Sequence, residues 1–108
     1  MKLWIDDVRP ALIGYRWCKT VDEAKKAIKE AEFNLKQGWV FKKDSGVELI
    51  DIDHDAGDYA SDGGDYIRLL DWLEETGRNY PIRIHSMNVV GIANMRAIIE
   101  RNGWKEIK

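Results

Sequence analysis

Acidic and histidine side chains occur in three short clusters, and each cluster follows an apolar segment. The clusters are Asp6-Asp7, Asp53-His54-Asp55 and His85-Ser86-Met87-Asn88. Hard divalent cations prefer carboxylate oxygens, so Asp6, Asp7 and Asp53 could hold Mg²⁺ or another divalent cation; the alternative is that they orient the histidines without a metal. A histidine titrates near neutral pH and can donate or accept a proton. The candidate catalytic residues are therefore His54, His85, Asp53 and Asp55.

Other polar residues beside these clusters could hold an anionic group. Free amides at a helix start attract phosphate, and an arginine can bind phosphate oxygens through paired hydrogen bonds. The candidate substrate-binding residues are Arg9, Ser86, Asn88 and Gly91. Plainer interpretations exist for most of them. Ser86 and Asn88 can simply cap a helix, and Arg9 can form an ordinary ion pair with Asp6 or Asp7.

The acidic and histidine clusters also have plainer interpretations. Single acidic residues at strand ends are mostly solvated or capping residues. A lone histidine is more often a hydrogen-bonded structural residue. Recurrence of both residue types after successive apolar segments favours a functional site.

Short apolar runs predict the strands that position the clusters. The runs that end at a cluster are residues 2–5, 47–52 and 81–84. Residues 15–18 and 104–107 have the composition of two further short strands. The segment 39–46 is ambiguous between a loop and an irregular extended stretch.

Between the strands, apolar residues recur every three or four positions and predict three helices. The first begins at a capping box of Thr20 and Glu23 and stops at Gly38. The second closes near Gly77 and the third at Gly103. Strands that alternate with helices predict an α/β fold with a mostly parallel sheet of about five strands. Ligands of such sheets bind at the carboxyl ends of the strands, where all three clusters fall.

The composition is that of an ordinary globular protein, and we expect one domain over residues 1–108. Charged residues make up 33% and hydrophobic residues 44% of the sequence, as in soluble folded domains. A formal net charge of -2 provides no basic field for duplex nucleic acid. No apolar stretch reaches the roughly 20 residues of a membrane span. The single cysteine and the lack of a signal-like start make the cytoplasm the expected location.

The residues around the clusters resemble the receiver superfamily and, more closely, its cyclic-phosphate processing receiver branch. The matching segments are Trp4 to Pro10, Ile52 to Gly57 and Ile84 to Gly91, with Asn94-Met95 beyond. The resemblance implies a small three-layer, flavodoxin-like receiver domain with a degenerate first helix. It also implies that the three clusters form a site for cyclic phosphates of nucleotides or nucleotide-derived sugars. Two departures, Ala56 in place of a larger aliphatic residue and a long loop at 58–62, affect packing and pocket shape.

The leading hypothesis is a phosphodiesterase-like hydrolase that opens a cyclic phosphate, with His54 and His85 as acid and base. A second is a binding protein that sequesters a cyclic nucleotide without cleaving it. A third is a phosphoacceptor receiver with Asp53 as acceptor. It is disfavoured because such receivers have a lysine at the end of the fifth strand, whereas Lys105 precedes the predicted strand end. The expected partner is a small phosphorylated, nucleotide-like ligand; no organic cofactor is expected, and the oligomeric state stays open.

Overall fold

The computed structural model describes residues 1–38 and 45–108, which contain four strands and three α-helices. Strands β1 to β4 are Lys2–Ile5, Tyr15–Cys18, Leu49–Ile52 and Ile82–Ile84. Helices α1 to α3 are Val21–Lys36, Ile67–Glu75 and Val89–Asn102, and a short 3₁₀ helix, Gly57–Ser61, precedes α2. Most of the ambiguous segment, residues 39–44, lies outside the described residues.

The strands form a parallel sheet in the order β2-β1-β3-β4, which confirms the α/β prediction. Helix α1 connects β2 to β3, and α2 connects β3 to β4. Residues 6–14 connect β1 to β2 without a helix. This loop is where the resemblance implied a degenerate first helix.

The predicted edge strand at 104–107 is reduced to a single bridge. Glu106 pairs in parallel with Ile82. The amide of Ile82 donates to the carbonyl of Lys105 at 2.9 Å, and the amide of Ile107 donates to the carbonyl of Ile82 at 2.8 Å. Because β4 is only three residues long, it offers a partner little length to pair with. The described sheet therefore has four strands and one bridge rather than five full strands.

The hydrophobic core lies on one face of the sheet. Side chains alternate along a strand, so Leu3, Ile5, Ile50 and Ile52 share the core face. The helix residues packed with them include Val21, Ala24, Ala27, Ile28, Leu69, Leu70, Leu73, Met95, Ile98 and Ile99. Trp4 and Asp51 alternate with these strand residues and lie outside that cluster, although both are buried. The described helices thus pack on this face of the sheet, and loop 6–14 is the position of the degenerate first helix that the resemblance implied.

Local sequence signals set the helix ends. The Thr20 hydroxyl accepts a hydrogen bond from the amide of Glu23 at 2.9 Å, as a capping box requires. The Glu23 carboxylate accepts from the amide of Lys19 at 2.9 Å, one residue before the expected donor. Gly103 ends α3 with φ 67°, a conformation that glycine adopts at little cost. Within residues 1–38 and 45–108, no helix is both long and apolar enough to cross a bilayer.

Candidate active site

The three polar clusters meet at the carboxyl edge of the sheet. The last residues of β1, β3 and β4 pair side by side, and Asp6, Asp53 and His85 follow them directly. The amide of Asp53 donates to the carbonyl of Ile5 at 2.9 Å, and that of His85 donates to Ile52 at 2.9 Å. These hydrogen bonds continue the parallel pairing one residue past the strands. They therefore hold the first residues of the three clusters side by side.

Asp6 is fully buried and forms hydrogen bonds through both carboxylate oxygens. Its Oδ1 accepts from the amides of Val8 at 3.0 Å and Arg9 at 2.9 Å, and its Oδ2 lies 3.0 Å from Nε2 of His85. Burial raises the pKa of Asp6, but the hydrogen bonds from Arg9, Val8 and His85 outweigh it, so the pKa lies below its ordinary value. Asp6 therefore stays ionised and fixes the start of the loop that follows β1.

Asp6, Asp7 and Asp53 form an acidic cluster, in which one carboxylate oxygen of each lies within 4.8 Å of the others. Burial raises the pKa of Asp7, and repulsion from Asp6 and Asp53 raises it further. A bound cation would relieve this repulsion, and three oxygen donors suit a hard divalent ion. The donor set thus fits the predicted metal, with Asp7 and Asp53 less occupied by protein hydrogen bonds than Asp6.

Gly57 lets the carboxylate of Asp7 approach the backbone of the 3₁₀ helix. Its φ is 56°, and a Cβ added there would lie 2.5 Å from Oδ2 of Asp7. Such a contact is far inside van der Waals distance, so any side chain at Gly57 would displace Asp7. The position of the Asp7 carboxylate therefore depends on the glycine that lies two residues after the Asp53-His54-Asp55 cluster.

His85 is held between two buried carboxylates. Its Nε2 lies 3.0 Å from Oδ2 of Asp6, and its Nδ1 lies 2.5 Å from Oδ1 of Asp51. The ring stacks on Trp4, with centroids 3.9 Å apart and planes 6° apart. The His85 side chain is 12% exposed, close to the 14% of His54, so its hydrogen bonds rather than its exposure distinguish it. Both ring nitrogens are thus engaged by the protein, and neither is left for a substrate.

His54 lies in a different environment, formed by Asp55, Asn88 and Gly91. Its Nδ1 lies 2.7 Å from Oδ1 of Asp55. Asn88 caps α3 by accepting from the amide of Gly91 at 2.8 Å, which turns its Nδ2 toward Asp55 at 3.3 Å and 3.4 Å from the two oxygens. Because Asp55 accepts from both neighbours, His54 donates through Nδ1 and keeps Nε2 for proton transfer. Among the described residues, Nε2 of His54 has no hydrogen-bond partner.

Gly91 provides the surface on which the His54 ring lies. A Cβ added at Gly91 would come within 2.4 Å of Cγ, 2.6 Å of Cδ2 and 2.9 Å of Nδ1 of His54. Gly91 is buried in the first turn of α3. The structure places this predicted substrate-binding residue against a histidine, so its contribution to the site is to leave room for the ring.

Arg9 and Ser86, the other predicted substrate-binding residues, lie beside the clusters. The backbone amide of Arg9 donates to Asp6, and its carbonyl accepts a hydrogen bond from Nε1 of Trp4 at 2.8 Å. Its side chain is exposed, and in the described parts of the chain its guanidinium forms no ion pair with Asp6 or Asp7. The Ser86 hydroxyl accepts from the amide of Asn88 at 3.1 Å, which leaves its proton free to donate.

Asp51 was not among the sequence candidates, although it contacts His85. The sequence contains a signal for it: Asp51 interrupts an apolar strand between Ile50 and Ile52. A charged residue at such a position must be paired if it is buried. The pairing partner, however, comes from a distant segment, so the sequence pattern alone does not indicate what Asp51 binds.

Comparison with known protein families identifies the family of this chain. The profile of the cyclic-phosphate processing receiver domain family matches residues 1–101, nearly the whole chain. Searches of curated proteins and of solved structures found no significant match. The match spans β1 through most of α3, and so includes every polar cluster at the carboxyl edge of the sheet. This chain belongs to the cyclic-phosphate processing receiver domain family.

Proposed function

We propose that this protein hydrolyses a cyclic phosphate carried by a nucleotide or a nucleotide-derived sugar. The observation that carries the proposal is the placement of His54. Its Nδ1 is oriented by Asp55 at 2.7 Å, and its Nε2 is unpaired among the described residues, on the sheet edge that also holds the acidic cluster. An imidazole oriented by a carboxylate, with its other nitrogen unpaired among the described residues, is suited to general acid–base catalysis at phosphorus.

In this mechanism His54 moves a single proton. Its Nε2 accepts a proton from water while the water oxygen bonds to phosphorus. One ester bond between phosphorus and a ring oxygen breaks, and the departing oxygen takes the proton back from His54. Water is the only co-reactant, and the product is a linear phosphate monoester.

The proposal includes a divalent cation, because the carboxylates of the acidic cluster would otherwise repel an anionic substrate. Asp7 and Asp53, assisted by Asp6, are the residues that would hold the ion. When bound, it would supply positive charge to the phosphate oxygens. Arg9 and the hydroxyl of Ser86 are the protein groups available to donate to those oxygens.

We assign His85 a supporting role rather than that of a second acid or base. A proton-transferring histidine needs a nitrogen within hydrogen-bond reach of substrate. Both nitrogens of His85 are hydrogen-bonded to Asp6 and Asp51. The sequence hypothesis used both histidines as acid and base. In the mechanism proposed here only His54 transfers protons, and His85 holds a carboxylate.

Exposed apolar side chains support an organic phosphate ester over inorganic phosphate as the ligand. Val8 is 72% exposed immediately after the acidic pair, and Met87 and Val89 on either side of Asn88 are 83% and 78% exposed. Large exposed apolar side chains beside a polar cluster are typical of binding surfaces. They could pack against a base or sugar while the polar cluster binds the phosphate.

The test is incubation of the purified chain with a panel of five- and six-membered cyclic nucleotide phosphates and Mg²⁺. The expected result is a linear phosphomonoester that contains one oxygen from isotopically labelled water. His54→Gln should lower turnover by at least about a hundredfold, whereas Asp58→Asn, an exposed acidic residue nearby, should not. A chelator should abolish turnover if the acidic cluster binds an essential ion. Wild-type turnover that survives His54→Gln would contradict the proposed role.

The same experiment distinguishes hydrolysis from sequestration. A protein that only sequesters its ligand would release an unchanged cyclic phosphate on heating. That outcome would replace the hydrolase proposal with a binding function at the same edge of the sheet.

A phosphoacceptor function of Asp53 is a second candidate, and one observation favours it. The parallel bridge between Ile82 and Glu106 places Lys105 at the beginning of β4, remote from the site. The observed pairing stops at this single bridge, but the same register continued by two residues would bring Lys108 level with Ile84, the residue before His85. Incubation with a small phosphodonor, followed by intact mass, should reveal an acyl phosphate that Asp53→Asn lacks. Absence of the adduct in wild type would reject this candidate.

A further inference from the structure

Asp51 is a buried carboxylate on the sheet face opposite the hydrophobic core. It lies in the middle of β3, between the core residues Ile50 and Ile52, and is 0% exposed. Its neighbours in the sheet are Trp4 on β1 and Arg83 on β4. Burial of a carboxylate costs free energy unless the charge is paired, so its contacts indicate why it is there.

The two oxygens of Asp51 have unequal partners. Oδ1 lies 2.5 Å from Nδ1 of His85. Oδ2 lies 3.6 Å from Nη1 of Arg83, and it has no hydrogen-bond partner within the described part of the chain. The Arg83 side chain is 47% exposed. The strong, fully buried contact of Asp51 is therefore with His85, and the contact with Arg83 is a partly solvated ion pair.

The contact with Asp51 restricts the orientation of the His85 ring. A half-turn of the ring about Cβ–Cγ exchanges Nδ1 with Cδ2 and Nε2 with Cε1, so the contact with Asp51 opposes this rotation in addition to the contact with Asp6. Hydrogen bonds at both nitrogens, to Asp51 and Asp6, are satisfied by one orientation only. His85 then holds Oδ2 of Asp6, whose Oδ1 accepts the amides of the loop after β1.

We infer that Asp51 is a positioning residue, which fixes His85 and through it the carboxylate of Asp6 in the acidic cluster. Its effect on catalysis rests on the proposed hydrolase function. The geometric part, that Asp51 fixes the His85 ring, does not depend on that function. Hydrogen-bond partners behind the ligands of a metal site typically change affinity or activity by about 10- to 100-fold when removed.

The first test is NMR of the imidazole nitrogens and their protons in the free protein. The chain has 2 histidines, so a His54→Gln background leaves the signals of His85 alone. We expect an Nδ1–H proton of His85 that is protected from solvent exchange, and loss of this protection in Asp51→Leu, which has a similar size but no acceptor. Arg83→Gln, which removes only the exposed partner of Asp51, should keep the signal.

The second test is steady-state kinetics in the otherwise unaltered chain. Asp51→Leu should lower kcat by about 10- to 100-fold with KM changed less than about twofold, because Asp51 does not touch substrate. Arg83→Gln should leave both constants unchanged. A purely structural role of Asp51 would instead lower the amount of folded protein and leave kcat per folded molecule intact.

The outcomes separate this inference from the proposed function. An Asp51→Leu variant with unchanged His85 signals overturns the positioning inference, whatever its turnover. If this variant does not fold, absence of a protected Nδ1–H proton in the His85 spectrum of the His54→Gln background overturns it as well. If His85 behaves as expected and the wild type cleaves no cyclic phosphate, the positioning inference stands and the hydrolase proposal fails.

Discussion

Trp4 and His85 stack face to face on the sheet surface opposite the core, with ring centroids 3.9 Å apart. The indole of Trp4 also donates to the carbonyl of Arg9 at 2.8 Å. One side chain therefore supports a histidine at the site and holds the loop that carries the acidic pair.

Substitution of Trp4 should separate these two contributions. Trp4→Phe keeps an aromatic face for His85 but loses the hydrogen bond to Arg9, and should lower the free energy of unfolding by about 1–2 kcal/mol. Trp4→Leu also loses the stacking and should cost about 2–4 kcal/mol. Urea denaturation measures both. Equal losses in the two variants would show that stacking on His85 contributes nothing.

A methyl group at Gly91 should impair the site without unfolding the protein. Alanine favours a helix over glycine by up to about 1 kcal/mol, but its Cβ would overlap the His54 ring. Gly91→Ala should therefore keep or raise the thermal midpoint, while turnover falls at least about tenfold because the ring is displaced.

Gly77→Ala is the matched control for this substitution. Nothing lies within 4 Å of an added Cβ at Gly77, but its φ of 70° disfavours alanine. We expect a loss of about 1 kcal/mol of stability with turnover unchanged. Unchanged turnover in Gly91→Ala would show that the position of the His54 ring does not matter.

Removal of the Asp7 charge should stabilise the fold at neutral pH. Burial and repulsion from Asp6 and Asp53 raise the pKa of Asp7 in the folded protein. Its ionised form is therefore less favourable in the folded than in the unfolded chain, and stability rises as pH falls through the raised pKa. Asp7→Asn should raise the free energy of unfolding at pH 7 by about 0.5 kcal/mol.

The response to a divalent cation provides a second measurement on Asp7→Asn. Mg²⁺ should raise the thermal midpoint of the wild type and should affect Asp7→Asn much less. Asp58→Asn makes the same change of charge outside the cluster and serves as the control. An equal response of Asp7→Asn and wild type to Mg²⁺ would show that Asp7 is not a ligand.

Glu32 should make stability depend on pH in the acidic range. Burial raises the pKa of Glu32, but hydrogen bonds from Arg78 and Tyr80 outweigh it and lower the pKa below its ordinary value of 4.5. Ionised Glu32 therefore stabilises the fold. This stabilisation is fully present above the pKa of Glu32 in the unfolded chain, and it is lost as pH falls through the lower pKa of the folded protein.

Glu32→Gln should accordingly lower the free energy of unfolding by about 1–3 kcal/mol at pH 7, with the difference from wild type shrinking toward low pH. Glu30→Gln, which breaks an exposed pair with Arg16, should cost less than about 1 kcal/mol. A deficit for Glu32→Gln that persists unchanged at acidic pH would exclude its charge as the cause.

The sequence was sufficient to predict the elements whose signals are local. The Thr20 cap, the end of α3 at Gly103 and the strands before the three clusters depend on neighbouring residues, and the structure confirms them. The edge strand at 104–107 was overestimated, because apolar composition does not indicate how many residues of a partner strand are available. The structure retains only the bridge to Ile82.

The sequence did not predict which side chains contact one another within the site. The fold class was sufficient to predict that the site lies at the carboxyl edge of the sheet. It did not predict that the two histidines have different environments. His54 binds Asp55, its neighbour in sequence, whereas His85 binds Asp6 and Asp51 from two other segments. Such pairing depends on strand order and side-chain direction, which a single sequence does not reveal.

The hydrogen bond between His85 and Asp6 joins residues 79 positions apart, so it forms only after β1, β3 and β4 have paired. Formation of the site is consequently linked to global folding, and no short peptide from this chain can reproduce it. A ligand that binds the site stabilises the whole chain, by about 2.7 kcal/mol at a hundredfold excess over its Kd. The thermal midpoint can therefore serve as the readout in a search for the proposed cyclic phosphate ligand, with no need to know the reaction product.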